Sequence, residues 1–374
     1  MRSPGACARR SMMWTEFIGN RAAVEHLQQL AATAGRERHA QRTLVLAGPE
    51  GVGKTTLAVL FGLALNCQAP PAPGEICGAC ASCRQAAPVA SLPELIAAAQ
   101  AYRTAEVKTS ARQQAPLRVA LHPAIHLFPP DGDFLTMAQA RAIIHQDEIQ
   151  PDSGQSWTLI VPDFDRARWA TQAALLKTLE EPSPGVVILL LARNPGALLP
   201  TVRSRALELR LAPVPHAELV AALVARGQNA QTAELMARLA PGGPGRALTL
   251  DLPGYQQIRS EALQLLRLGV AGDSLATVFR LSESVRASKE KFESLLEILY
   301  SVLQDIVYLQ AEFPNRVGNV DCLPELRSLA QRLAPARVRE VVEGLDRIQA
   351  AAQRNSFRPL ALASWTLGLT AEGS

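Results

Sequence analysis

The chain has 374 residues, enough for two or three domains at about 100–200 residues each. Hydrophobic residues make up 48% and charged residues 19%, a globular profile that excludes a disordered chain. A net charge of +4, with arginines scattered among acids, fits nucleic acid nearby but is too weak to establish contact with it.

No apolar run approaches ~18 residues, which argues against a membrane span. Residues 1–13 carry arginines but no apolar core, so they read as a disordered N-terminal extension, not a secretory signal. Met12 and Met13 are alternative starts, because patterned sequence begins at Trp14. The default setting is cytoplasmic, where six cysteines fit metal binding or burial better than disulfides. From Arg21 to Ala34, Ala22, Val24, Leu27 and Leu30 recur at helical spacing. Thr43–Ala47 is a buried-strand candidate, and Leu57–Leu65 follows as an apolar helix. Residues 85–117, rich in Ala and Gln, read as an inserted helix or loop. Three more buried runs follow at Ala124–Phe128, Trp157–Val161 and Val186–Ala192, with a helical pattern at Arg168–Glu181 between the last two. In that helix Trp169, Ala173, Leu176 and Leu179 are expected to face inward, leaving Lys177, Glu180 and Glu181 on a solvated face or a subunit contact. This alternation predicts an α/β domain with a parallel sheet covered on both faces.

Pro213 and Pro215 break the pattern, and short helical segments follow to about Leu250. From Tyr255 onward only helical periodicity remains. Lys289–Phe313 places Phe292, Leu295, Leu296, Leu299, Leu303, Ile306 and Leu309 on one face, and Pro335–Arg354 and Phe357–Leu369 read as two more helices. The predicted organisation is an α/β domain over 14–212, a small helical lid domain over 213–253 and an all-α domain over 254–374.

Gly48-Pro49-Glu50-Gly51-Val52-Gly53-Lys54-Thr55 fits G-x-x-x-x-G-K-[ST], between a strand candidate and a helix. Glycines let backbone N–H groups converge on phosphate oxygens, and the helix N-terminus adds favourable partial charge. Gly48, Gly51, Gly53, Lys54, Thr55 and Thr56 are therefore the candidate residues for ATP or ADP. Lys54 would reach the outer phosphates and the Thr55 hydroxyl would ligate Mg²⁺. Cys67, Cys77, Cys80 and Cys83 are spaced C-x9-C-x2-C-x2-C. Four thiolates with no open position suit a structural Zn²⁺ module over 67–83. Redox use of one CxxC pair is the rival reading, but it needs no four ligand-spaced cysteines. Cys7 and Cys322 lie far off in sequence and read as unligated. His126 and His145 show no ligand spacing.

A hydrolysing phosphate-loop enzyme needs a second strand ending in an acid that orders Mg²⁺. The candidate is Trp157–Val161, and there the metal-ordering position falls on Pro162 and the next on Asp163. Sliding the frame by one makes Asp163 the metal acid and leaves Phe164 where a second acid belongs. Either alignment loses one acid, so hydrolysis is expected to be slow or absent. The loop itself then either binds nucleotide without turning it over or stays empty.

Ala173–Pro182 (AALLKTLEEP), Leu191–Pro195, Leu199-Pro200-Thr201 and Ser204-Arg205 resemble the clamp-loader subunits of bacterial DNA polymerase III, AAA+ proteins. With the cysteine module behind the phosphate loop, Gly245-Arg246-Ala247 and Arg354-Asn355…Leu360-Ala361-Leu362, the chain is most similar to the delta-prime family over roughly 14–370. The resemblance implies a AAA+ P-loop domain, a helical lid and an all-α collar domain. It implies partnership with gamma/tau and delta subunits, and with the sliding clamp and primed DNA through the assembled complex. It also gives roles to three arginines. Arg205 matches the family's Ser-Arg-Cys motif, here Ser204-Arg205-Ala206, and would project into a neighbour's nucleotide site as a finger in trans; the bland alternative is a cap or surface pair. Arg246 matches the second-sensor arginine, and Arg193 stands where a small polar first sensor is usual. A gamma/tau-type ATPase that hydrolyses its own ATP is the alternative reading, and a self-standing DNA-binding protein a third.

Overall fold

The protein is described by a computed structural model covering residues 13–33, 42–106, 116–132, 134–149, 155–271, 289–352 and 365–366. The predicted extension before Met13, Cys7, the middle of the 85–117 segment and most of the predicted 357–369 helix lie outside the described residues. The chain divides into two compact units, Met1–Ala222 with Pro241–Leu248, and Leu223–Ala240 with Thr249–Ser374.

The first unit is built on a six-stranded sheet of order β2-β3-β4-β5-β1-β6. β1 (Thr43–Ala47), β4 (Trp157–Val161) and β5 (Val186–Ala192) coincide with the predicted buried runs. All three pair in parallel, as does β3 (Ile125–Leu127) with β4. Strand side chains alternate faces with period two, which sorts these residues between two cores. Leu44, Leu46, Ile160, Leu189 and Leu191 pack on one side; Val45, Ala47, Leu159, Val161, Ile188 and Leu190 pack on the other. Two strands were not anticipated. β2 (Val119–His122) runs antiparallel to β3, so the sheet is mixed, not all-parallel. β6 (Leu207–Arg210) pairs in parallel with β1 as a half-buried edge.

α1 (Arg21–Thr33) precedes β1, and α2 (Lys54–Asn66) follows it directly. Leu57 through Ala64 are all buried, so α2 is apolar all round, as a helix enclosed by protein should be. A Cβ at Gly62 would sit 2.9 Å from Ile125 Cδ1 and from Thr158 Oγ1, so glycine sets how closely α2 lies on the sheet. The Ala- and Gln-rich segment contributes a helix, Leu92–Glu106.

The Arg168–Glu181 pattern resolves into two short helices, Trp169–Ala174 and Leu176–Glu180. The break moves the inward face. Trp169 is 75% exposed and Ala173 is exposed, while Thr171, Gln172, Leu175, Thr178 and Leu179 are buried. The expected inward positions of Trp169 and Ala173 are therefore corrected, because the helix restarts at Leu175 and shifts its register.

In the second unit Leu252–Ala271, Lys289–Gln310, Leu323–Arg332 and Pro335–Ala352 are helices. Phe292, Leu295, Leu296, Leu299, Leu303 and Ile306 form the centre of their shared core, as their spacing predicts. The turn after Lys289–Gln310 is fixed by buried Asp305, which accepts 2.8 Å hydrogen bonds from the N–H groups of Gly318 and Asn319.

Candidate functional site

The phosphate loop leaves the C-terminal end of β1 and enters α2 at Gly53, whose φ of +101° is in the left-handed region that favours glycine. Gly51 also has positive φ, and a Cβ there would touch Arg246 Cβ at 3.0 Å. The short helix Pro244–Thr249 lies against the loop, with Gly245 N–H donating to the Gly51 carbonyl over 2.8 Å. Gly48 has no room for a side chain, since its Cβ would fall 2.5 Å from the Leu211 carbonyl oxygen. The structure thus brings Gly48, Gly51, Gly53, Lys54 and Arg246 together, with Thr55 and Thr56 in the first turn of α2. Lys54 folds back on the loop, and its Nζ donates to the carbonyls of Gly48 (2.7 Å) and Pro49 (2.8 Å). Burial lowers its pKa and Arg193 adds to this, against the opposing pull of Asp163, Asp165 and Glu50.

The neighbouring strand ends carry an ion network. β4 ends at Val161, and the side chain of the next residue, Pro162, offers no ligand atom. Asp163 turns into the left-handed region (φ 47°) and accepts from Arg193 Nε over 3.3 Å. The other arm of Arg193, Nη1, pairs with Glu50 of the loop at 2.7 Å. Asp165 Oδ2 accepts from the backbone N–H groups of Arg193 (3.2 Å) and Asn194 (3.0 Å), which fixes the turn after β5. Glu50 and Asp165 were not singled out in the sequence, because Glu50 fills one of the unspecified positions of the eight-residue loop signature and Asp165 lies beyond the two strand-end positions.

Arg205 lies elsewhere. It precedes β6, whose first residue, Leu207, is in register with Leu44 near the start of β1. The phosphate loop follows the other end of β1. Arg205 Nε donates to Glu180 Oε2 (2.9 Å), and its Nη1 donates to the Thr201 carbonyl (3.0 Å). Glu180 is thus a specific partner, which its place at the end of an amphipathic pattern did not reveal.

The four cysteines converge. Their sulfurs all lie within 4.8 Å of one another, with Cys83 3.9 Å from Cys77 and 3.8 Å from Cys67. A tetrahedron with metal–sulfur arms of about 2.3 Å has edges of about 3.8 Å, so the cluster fits a metal ion. Backbone N–H groups of Cys77, Cys80 and Cys83 point at the sulfurs of Cys67, Cys77 and Cys80. Burial pushes the Cys80 thiol up, but the N–H groups of Cys83 and Gln68 pull further and bring it down to about 6. N–H groups of Ala79 and Cys80 lower Cys77. Burial raises Cys67 and, more strongly, Cys83. The module is tied to the sheet through Ser82, whose Oγ lies 3.1 Å from His122 Nε2. His122 Nδ1 accepts from Ala124 N–H, so Nε2 carries the proton and donates. Trp14 Nε1 donates to the Gly74 carbonyl over 3.1 Å. Cys322 is a free thiol, His145 is exposed and His126 is buried. Among the described residues no helix is long and apolar enough to cross a membrane.

Two family models match the chain. One, described as DNA polymerase III, delta subunit, covers residues 19–215; the other, described as DNA polymerase III, delta subunit, C terminal, covers 254–369. DNA polymerase III subunit delta' of Pseudomonas aeruginosa is 28% identical over 251 residues, spanning 65% of this chain and 66% of that protein. The Escherichia coli delta' subunit is 27% identical over 313 residues, spanning 83% of this chain and 81% of that one. The tau subunit of Escherichia coli is 26% identical over 335 residues, which span 81% of this chain but only 45% of tau. With more than half of its length under the first model, the chain belongs to the DNA polymerase III delta subunit family, and its delta' members are the relatives it matches over most of their length.

Proposed function

We propose that the chain acts as a delta'-type subunit of a bacterial clamp loader, in the cytoplasm, with gamma/tau and delta chains as neighbours. Through the assembled complex it helps place the ring-shaped sliding clamp on primed DNA. The division into an α/β domain (14–212), a lid (213–253) and a collar (254–374) belongs to this reading. The chain does not turn over ATP itself, because Pro162 removes a metal ligand and Arg193 occupies Asp163. It instead lends Arg205 to a neighbour's ATP, where a guanidinium offsets charge on the transferring phosphoryl group. Zn²⁺ at Cys67, Cys77, Cys80 and Cys83 is structural, and Lys54 with Arg246 holds ATP or ADP.

The position of Arg205 carries the proposal. It stands near the start of β1, while its own phosphate loop follows the end of that strand. Five strand residues at ~3.3 Å each put about 17 Å between the two ends, beyond the reach of an arginine side chain. Arg205 is therefore of use to phosphates only on another chain. Co-expression with gamma/tau and delta chains should give a hetero-oligomer by mass measurement. Arg205→Ala should leave that mass unchanged while the one ATP site it serves loses about 10³-fold in rate. Unchanged turnover by the mutant assembly would remove the finger role.

The second reading, a gamma/tau-type ATPase, is favoured by the intact eight-residue loop alone. Steady-state ATPase assay of the isolated chain separates the two: the delta' reading expects no turnover above background, and brisk hydrolysis would replace it.

A further inference from the structure

A metal-dependent phosphate loop uses the carboxylates at the neighbouring strand end to hold Mg²⁺, often through water, and the ion offsets the charge on the phosphates. In this chain those carboxylates are committed elsewhere. Pro162 contributes no oxygen ligand from its side chain. Asp163 Oδ1 is taken by Arg193 Nε (3.3 Å), and Asp165 Oδ2 by the two N–H groups that follow β5, while Asp165 Oδ1 has no hydrogen-bond partner but is buried away from solvent. Glu50, within the loop itself, is taken by Arg193 Nη1 at 2.7 Å. The residues present do not fit a magnesium ion. They fit a guanidinium, which is charged at every physiological pH and here bridges the phosphate loop and the end of β4.

We propose that Arg193 does the electrostatic work of the metal, so that the loop holds a nucleoside di- or triphosphate without a divalent cation. The inference rests on the nucleotide reading of Lys54 and its loop. Lys54 and Arg193 supply two neighbouring positive charges at the ends of β1 and β5, and the planar fork of Arg193 matches two phosphate oxygens at once. The side chain is 45% exposed and Glu50 is 65% exposed, so an entering phosphate exchanges one solvated carboxylate partner for a stronger anion. Lys54 exchanges the carbonyls of Gly48 and Pro49 in the same way. Without a metal-bound water network or a second acid, the bound nucleotide stays intact, a fixed ligand that the chain does not consume.

The test is equilibrium binding of radiolabelled ADP and ATP to the full chain, with magnesium titrated into metal-depleted buffer. No strong chelator is added, so any ion at the cysteines is not stripped. The expected result is an affinity that magnesium changes by less than about twofold, and a loss of about tenfold or more in Arg193→Ala that added magnesium does not restore. Arg193→Gln, which keeps a polar side chain but not the charge, should show the same loss while melting at the wild-type temperature. Affinity that climbs with magnesium overturns the inference and leaves the nucleotide reading standing. Tighter binding in Arg193→Ala also overturns it, since Arg193 would then be a plug. Absence of binding in every condition, in wild type and in Lys54→Ala alike, removes the nucleotide reading itself.

Discussion

Arg205 and Glu180 meet at 2.9 Å across two chain segments that both lie near the start of β1, since Leu179 O also accepts from Thr43 Oγ1 there. The pair holds the guanidinium at the edge of its own sheet in a defined orientation. Arg205 is 31% exposed and Glu180 54%, so the ion pair contributes under about 1 kcal/mol to stability. Glu180→Gln should therefore leave the denaturant midpoint of the isolated chain within error of wild type. Arg205→Ala should do the same, so that any loss of turnover in the assembly reports on the neighbour's phosphates. A loss of several kcal/mol in unfolding free energy in either variant would make the pair structural.

Loss of one cysteine should be felt locally. Cys83 is buried and packs in the same core as Ile76, Leu60 and Leu121, whereas the three other cysteines are half-exposed. Cys83→Ser is expected to drop bound metal from about one ion per chain to near none, because a four-thiolate site has no spare ligand. Limited proteolysis should then cut within residues 67–85, while the phosphate-loop core resists. Elemental analysis and the position of the first cut check this together. Full metal content in the serine variant would sink it.

Stability should fall on mild acidification through His126. The ring is buried, packs edge-on against Trp157 with centroids 5.8 Å apart, and makes no hydrogen bond of full geometry. Burial, helped by Arg118 and His122, holds its pKa down at about 4 against an ordinary 6.5, with the Pro123 carbonyl pulling the other way. The folded ring stays neutral where the unfolded one takes up a proton. Stability is thus full above pH 6.5, declines as pH falls towards about 4, and stops declining below that. The window is worth up to about 3 kcal/mol. Urea midpoints between pH 7 and pH 4 should show this slope, and His126→Phe should flatten it, leaving a remainder from His122, which burial also lowers.

Two glycines with similar backbone angles should respond very differently to alanine. Gly74 has φ of +80°, and a Cβ there would fall 2.0 Å from the Gln28 carbonyl oxygen of α1. Gly227 has φ of +93° and nothing within 4 Å. Gly227→Ala carries only the left-handed strain, about 1 kcal/mol. Gly74→Ala adds a backbone collision and should cost at least about 3 kcal/mol, read from melting curves. Equal costs would mean that the cysteine segment yields freely at α1.

Much of this architecture was legible because burial writes itself into composition. β1, β4 and β5 are enclosed on both faces, so their sequences are apolar runs, interrupted only by Thr43 and Thr158, with matching ends. β2 and β6 lie at the sheet edges, are four residues long and are partly exposed, which leaves no such run to read. The break at Leu175 is equally silent, since Trp169 and Ala173 are apolar yet face solvent. The loop signature and the cysteine spacing are local and were readable directly. The Glu50–Arg193–Asp163 network is not local: it joins a loop, the end of β5 and the end of β4, so although Asp163 and Arg193 were each singled out, their pairing and the part of Glu50 were not readable.

Trp14 reaches across 60 residues of sequence to the Gly74 carbonyl, inside the segment that the cysteines close. During synthesis the indole leaves the ribosome well before its acceptor exists. This hydrogen bond of the amino-terminal edge therefore depends on the sulfur-rich turn holding its shape. Release of this buried indole from that carbonyl would tie its fluorescence to the state of the sulfur-rich turn.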